Sequence, residues 1–366
     1  MHTKMIKDAV NIPVFIGHNV FTPEDAERLL EEGVGDYVAL GRSQLADPCW
    51  AKKAKEGKAE DIKPCINCLI GCLDRGLLSH TPIHCTVNPT LYKFEGPEIT
   101  PAEEQKNVAV VGAGPAGSEA ALTLAKRGHK VTIFEKRDFG GAMIEASVPD
   151  NKSNIRRLIQ YYKNHIEAND AITIVKEEAD FDKIANGGFD AVILAIGGKT
   201  RTLKVAEDGK NTLIYANDYL NGSKKAIGDK VVVIGGGITG AETALELKNE
   251  GKDVTIVEMA DQFLASNSSA CQAYSISISQ TDIKIITGKR LVAAENGNAV
   301  VMDRWGNTTE LEADSIVIAA GFMPQYELAE QLENETELEV YNVGDSKQVR
   351  QIYDAIHEGF VAARQI

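Results

Sequence analysis

Cys65-x2-Cys68-x3-Cys72-x12-Cys85 gathers four of the chain's six cysteines into one short stretch. Thiolates so spaced can converge on one centre, and soft sulfur sets of this size take Zn²⁺ or an iron–sulfur cluster. Zinc ribbons usually pair two C-x2-C turns, whereas three of these cysteines crowd one loop, so a 4Fe–4S cluster is the favoured reading. Zinc, or thiols kept reduced for structure, are the other two. Cys49 and Cys271 stand alone and read as buried side chains. Glycines carry a second kind of chemistry. Gly112-Ala-Gly114-Pro-Ala-Gly117 and Gly235-Gly-Gly237-Ile-Thr-Gly240 both have the G-x-G-x-x-G form. The first glycine turns tightly, the second admits a pyrophosphate, and the third lets helix and strand pack closely. Glu135 and Glu258 each come 23 residues after their first glycine, where a carboxylate can bond ribose hydroxyls. One such turn is a weak signal of a ligand; two in the same context are a strong one.

Those motifs sit on recognisable elements. From Asn107 the order is strand (NVAVV), glycine turn, helix, strand (KVTIFE), and near Lys230 it returns as VVVIGGGITG, helix, DVTIVE. The helix N-terminus after each turn adds its dipole and free N–H groups. Residues 315–321 (SIVIAAG) read as another buried strand, and the segment from Tyr341 through Ile352 leads into a C-terminal helix. Upstream, residues 61–101 hold the cysteines with little periodicity, and the polar run 96–105 reads as a linker. The first sixty residues alternate strand and helix: a strand over 12–17, a helix opened by Thr22 and Pro23 and running through Leu30, a strand over 37–40, and a helix from about Pro48 that Gly57 ends. Two such βα units cannot close or cover a sheet, so they predict an open edge and a bare hydrophobic face.

The chain has 366 residues, a formal charge of −14, 43% apolar and 25% charged residues, an ordinary globular composition with room for two or three domains. Its acidity argues against nucleic acid or an anionic membrane as partner. Phosphate must then be held locally. No apolar run approaches membrane-spanning length, and the opening MHTKMIKDAV lacks a signal peptide's apolar core. The expectation is a cytoplasmic protein, where cysteines bind metal or stay reduced.

In this order the motifs resemble two-dinucleotide flavoproteins, which place FAD on the first glycine turn and reach it again through a late Gly-Asp, here Gly344-Asp345. Their NAD(P)H domain is inserted between two FAD segments. The resemblance implies that Gly112, Gly114, Ala116, Gly117, Glu135, Lys136, Gly141, Ala195, Gly197, Gly344 and Asp345 contact FAD. It gives Gly235, Gly237, Gly240, Glu258 and Gly321 to the nicotinamide nucleotide. Glu258 is followed by Met259, Ala260 and Asp261, with no arginine or lysine close in sequence to receive a 2′-phosphate, which favours NADH over NADPH. Disulfide reductases of this plan carry a redox C-x2-C in the FAD or NAD domain. Neither region has one here, so electrons must leave the FAD by another route, and the four-cysteine site is the obvious exit.

The whole chain resembles the old yellow enzyme-related iron–sulfur flavoproteins, which include 2,4-dienoyl-CoA reductase, enoate reductase, trimethylamine dehydrogenase and the bile-acid-inducible NADH-dependent oxidoreductases. Their plan is a TIM barrel holding FMN, a cysteine segment holding a 4Fe–4S cluster, then FAD and NAD(P)H domains. Cysteine spacing of two, three and twelve matches the reductase branch, and YVALGRSQLADP looks like the last barrel strand with its phosphate-binding Gly41-Arg42. The closing GDSKQVRQIYDAIHEG also looks like the family's end. The implied fold is mixed α/β: residues 1–60 a remnant of a TIM barrel, 61–105 the iron–sulfur segment and linker, then two Rossmann-like dinucleotide-binding domains. Residues 106–200 and 323–366 form the FAD domain and 201–322 the inserted NAD(P)H domain.

A complete member would carry roughly six more βα units upstream. Those hold most FMN and substrate contacts, so the catalytic residues stay unassigned. Gly17, Asn19, Gly41 and Arg42 would touch FMN phosphate only once the barrel is completed, and His18 reads as a loop residue. The implied activity passes electrons from NADH to FAD to the cluster to FMN, for reduction of an activated C=C bond in an enoyl or dienoyl thioester or an enoate. The implied partner is the missing barrel segment or a separate subunit, and a homo-oligomer is compatible. A stand-alone NADH dehydrogenase module and a truncated nucleotide-binding remnant are the alternatives.

Overall fold

Short apolar runs broken by Gly, Pro and Asp leave the N-terminal elements small. In a computed structural model describing residues 2–17, 19–91, 99–226 and 228–366, they are α1 (His2–Ala9), β1 (Phe15–Ile16), α2 (Pro23–Glu31), β2 (Tyr37–Val38), α3 (Arg42–Ala46) and α4 (Trp50–Lys55). Thr22 caps α2 as its sequence predicts, its Oγ1 accepting from the Asp25 amide at 2.9 Å, with Pro23 opening the helix. β1 and β2 pair in parallel, Phe15 opposite Tyr37. They are shorter than the runs 12–17 and 37–40 suggest, because a two-stranded sheet offers little to extend along. The bare face is present: Phe15 and Tyr37 stack at 5.0 Å on the outside, and Met5, Ile6 and Ile12 are exposed with them.

The cysteine segment is irregular apart from a π-helical stretch, Ile70–Leu78. Its wide turns are closed by Asp74 N to Leu69 O (3.0 Å) and Ser79 N to Asp74 O (2.9 Å). Of the expected linker over 96–105, residues 99–105 carry no helix or strand; the start of the run lies outside the described residues, as does His18.

From Asn107 longer Val/Ile runs make buried strands. The order is β3 (Asn107–Val111), α5 (Pro115–Arg127), β4 (Lys130–Phe134), α6 (Met143–Ala146), α7 (Ser153–Glu167), β5 (Ile172–Val175), α8 (Phe181–Ala185) and β6 (Ala191–Leu194). The chain leaves through β7 (Lys199–Thr200) to β8 (Ala206–Glu207), β9 (Thr212–Tyr215), α9 (Ala216–Leu220), β10 (Lys230–Ile234), α10 (Ile238–Asn249), β11 (Asp253–Val257), α11 (Ser269–Ser279) and β12 (Lys284–Ile286). Strands β13 (Lys289–Glu295), β14 (Asn298–Asp303), β15 (Thr308–Glu312) and β16 (Ser315–Ile318) follow. The chain returns through β17 (Phe322–Met323), α12 (Glu327–Glu335), β18 (Glu339–Asn342) and α13 (Ile352–Gln365).

Two five-stranded parallel sheets result, ordered β18-β6-β3-β4-β5 and β12-β11-β10-β16-β9, with a four-stranded sheet β15-β14-β13-β8 beside the second. The second sheet is inserted between β6 and β18 of the first, and antiparallel β7 and β17 tie the outgoing and returning chains together. Val108, Ala109 and Val110 are fully buried, as strands covered on both faces require. Cys65, Ile66 and Val87 share one apolar core with Ala116 and Ala120 of α5 and Ile356 of α13, so the cysteine segment is packed onto the first sheet's helices.

Candidate functional site

Both glycine turns are built alike. A Cβ on Gly117 would collide with the carbonyl oxygen of Gly112, and one on Gly240 with that of Gly235, so only glycine lets each helix seat on its strand. Beyond the turn, Glu135 Oε2 accepts from Ala113 N and Oε1 from Arg137 N, both at 2.7 Å. Glu258 repeats this 123 residues on, accepting from Gly236 N at 2.5 Å and Ala260 N at 2.7 Å. Each carboxylate is thus fixed at the carboxyl end of its second strand, where ligands lie in open parallel sheets.

Around the first turn opens a cleft of about 580 Å³, within the range of small-molecule sites. Gly112, Gly114, Ala116, Glu135, Lys136 and Gly141 line it from one side, and Ala195, Gly197, Gly344 and Asp345 from strands and turns far away in sequence. Gly117 lies behind the wall, acting through packing. The N-terminus of α5, capped by Gly114 with no side-chain bond, enters the cleft and is a ready anion site. Arg137 also lines it, ion-paired with Glu145 at 2.6 Å. Burial holds the Asp345 carboxyl above its usual range, although it accepts from Arg350 N at 3.0 Å. Gly344 N donates to Glu358 at 2.7 Å. Gly235, Gly237, Gly240, Glu258 and Gly321 do not join this cleft; Gly235, Gly237 and Glu258 follow the carboxyl ends of β10 and β11, Gly240 lies in the first turn of α10, and Gly321 just before β17.

Cys65, Cys68, Cys72 and Cys85 line one cavity. Asn67 and Leu69 both adopt positive φ, 56° and 62°, which bends the loop so that Cys65 and Cys68 face inward; a leucine there is strained. Gly71 leaves no room for a side chain, since a Cβ would stand 2.9 Å from His84 O. That close approach, with His84 N donating to Gly71 O at 2.6 Å, holds the π-helical Cys72 against the irregular stretch carrying Cys85. Burial pushes the Cys68 thiol up to about 11 and that of Cys85 to about 12. A ligand drawing out thiolates there must bring positive charge. Among the described residues no three Cys, His, Asp or Glu side chains converge tightly enough to hold a single metal ion. Thiolates lining one cavity are the soft ligands that zinc or an iron–sulfur cluster takes.

Gly41 and Arg42 line a separate cavity of about 220 Å³ with Asn19. Arg42 also reaches the cysteine cavity, its guanidinium bonded to Asn67 and, at 3.0 Å, to Asn19. Cys271 is buried as expected, but Cys49 is exposed, because it sits on the turn entering α4.

Two further groups emerge only in three dimensions. Lys63, just before Cys65, donates to Glu119 of α5 at 2.6 Å, and Tyr162 OH donates to the same oxygen at 2.8 Å. Arg304, distant in sequence, stands 2.8 Å from Asp261, so a cation does lie near Glu258 in space. Both pairings join residues on different elements, which no local pattern announces.

Residues 106–355 match the family model described as pyridine nucleotide-disulphide oxidoreductase. The NADH oxidase of Thermoanaerobacter brockii is 37% identical over 99% of this chain and 56% of its own length. The cinnamate reductase of Clostridium sporogenes is 32% identical over 100% of this chain and 55% of its own. Among solved structures, 2-naphthoyl-CoA reductase in complex with 2-naphthoyl-CoA superposes with a TM-score of 0.88 and 31% identity, over 99% of this chain and 55% of that one. The chain spans a little over half the length of these relatives. Among the described residues no helix is long and apolar enough to cross a membrane.

Proposed function

Since this chain belongs to the pyridine nucleotide-disulphide oxidoreductase family, within the old yellow enzyme-related flavoproteins, we propose that it is the electron-transfer portion of a flavin-dependent reductase. The observation that carries this is the cleft at the first glycine turn, where residues from four distant segments converge. FAD belongs there: the α5 N-terminus faces its pyrophosphate, Glu135 takes the ribose, and Gly344-Asp345 reach it from the far side. NADH belongs at Gly235, Gly237, Gly240 and Glu258, and a 4Fe–4S cluster between Cys65, Cys68, Cys72 and Cys85. When bound, these groups supply the redox chemistry, hydride acceptance by the flavin and single-electron passage by the cluster. The protein's part is to hold and insulate. Cys65, Cys68 and Cys85 pack against the same apolar core as α5, which supports a cluster site beside the FAD domain.

In this reading residues 1–60 are barrel units, 61–105 the cluster segment, 106–200 and 323–366 the FAD domain and 201–322 the NAD(P)H domain. The stacked, exposed Phe15 and Tyr37 support a covering barrel or subunit, and Asn19, Gly41 and Arg42 await an FMN phosphate there. Relatives named for reducing cinnamate and 2-naphthoyl-CoA support an activated C=C bond as the whole protein's acceptor. A relative named NADH oxidase supports a second reading, a module that feeds another acceptor. The test is NADH-driven turnover. Dye reduction by the chain alone, with cinnamate-type reduction appearing only when the upstream barrel is supplied, supports the first reading. Alkene reduction by the chain alone contradicts it.

A further inference from the structure

The turn between β14 and β15 carries Arg304 and Trp305. Trp305 is 75% exposed and Met259 70%, the two most exposed large apolar side chains among the described residues. The fold links the two turns that carry them. Met259 follows Glu258 at the carboxyl end of β11, and Asp261, two residues on, accepts from Arg304 Nη2 at 2.8 Å. The Arg304 guanidinium lies over the Trp305 ring, 4.9 Å from its centroid. Lys289 N donates to Glu258 O at 3.1 Å and Gly288 N to Ala260 O at 2.9 Å, so the start of β13 is tied to the same turn. An indole held in water on a hairpin tip gains nothing for folding; its flat face is a surface to be covered.

We propose that Arg304 and Trp305 complete the adenosine end of the nicotinamide-nucleotide site, the indole stacking on adenine and the Asp261–Arg304 pair selecting against a 2′-phosphate. This rests on NADH binding at the second glycine turn. A guanidinium is the natural clamp for a 2′-phosphate, matching it in a bidentate fork. Asp261 engages one arm of that fork, and Glu258 adds a second carboxylate. The 2′-phosphate of NADPH therefore meets two anions and an engaged cation, whereas the 2′-hydroxyl of NADH donates to Glu258. Arg304 and Asp261 are 63% and 72% exposed, so their pair contributes little to folding, which suits a role in selection.

The test uses the full chain with NAD⁺ and NADP⁺, followed by calorimetry and tryptophan emission. The chain has two tryptophans, and Trp50 is 5% exposed, so quenching on NAD⁺ addition reports Trp305. Trp305→Phe should keep NAD⁺ affinity, and Trp305→Ala should weaken it about tenfold or more. Asp261→Asn should tighten NADP⁺ about tenfold, and adding Arg304→Ala should erase that gain. Unchanged NAD⁺ affinity in Trp305→Ala overturns the stacking role. No NADP⁺ gain in Asp261→Asn, or a gain that survives Arg304→Ala, overturns the selecting role; the nicotinamide site would stand in either case. A wild-type chain that retains FAD but binds no NAD⁺ overturns the NADH reading and this inference with it.

Discussion

At the scale of single residues, the site rests on side chains that are absent and carboxylates that are held. Gly117→Ala should drive its Cβ into the Gly112 carbonyl and lift α5 off β3. We expect loss of flavin from the purified protein and a cost of several kcal/mol, on the order of overpacking a tight core; a variant that keeps stoichiometric flavin would contradict this. His129 makes a different prediction. It is fully buried, and its Nδ1 accepts from Lys106 N at 3.1 Å, so the ring is neutral. Burial, with Arg127 and Lys106 nearby, holds its pKa below the usual histidine value. The unfolded chain therefore takes up the proton first as pH falls. Stability is fully present above the unfolded value near 6.5 and is lost as pH drops through the folded one, by about 1.4 kcal/mol per unit of difference. Thermal midpoints at pH 7 and pH 5 should diverge in the wild type and converge in His129→Gln. The glycines and acids were legible in sequence because their spacing is local and repeated. Lys63, Glu119 and Arg304 were not, since their partners lie 56 and 43 residues away.

At the scale of elements, the cysteine segment is joined to α5 by a buried pair. Lys63 and Glu119 are 14% and 9% exposed, with Tyr162 sharing the carboxylate. Removing one partner strands the other charge, so Glu119→Ala should cost about 3–5 kcal/mol, while Glu119→Leu with Lys63→Met should recover most of it. Denaturant unfolding measures both, and iron content on the same samples should fall in the single variant. Equal stability of all three proteins would remove the pair from the account. Sequence reading found this segment irregular and missed the π-helix over Ile70–Leu78. The reason is physical: a wide turn closed by backbone bonds imposes no hydrophobic period of its own. The long strands, by contrast, announced themselves through continuous Val/Ile runs ending in glycine.

At the scale of the whole molecule, two parallel sheets of one design and a cysteine segment packed on the first share a chain with a two-stranded sheet whose Phe15 and Tyr37 are exposed. The repeat was readable because both copies keep the order strand, turn, helix, strand, acid, and the insertion of the second sheet follows from β18 returning beside β6. The length of β1 and β2 was not readable, because strand length depends on neighbours that the local sequence does not specify. In the proposed function, nicotinamide, flavin and cluster sites on this chain form one electron path. An anaerobic absorbance titration with NADH, with iron and flavin determined on the same sample, tests it most directly. We predict stoichiometric FAD, about four irons, and bleaching of the flavin band followed by the broad cluster absorbance as NADH is added. Protein that carries FAD and iron yet shows no change with NADH would contradict the account.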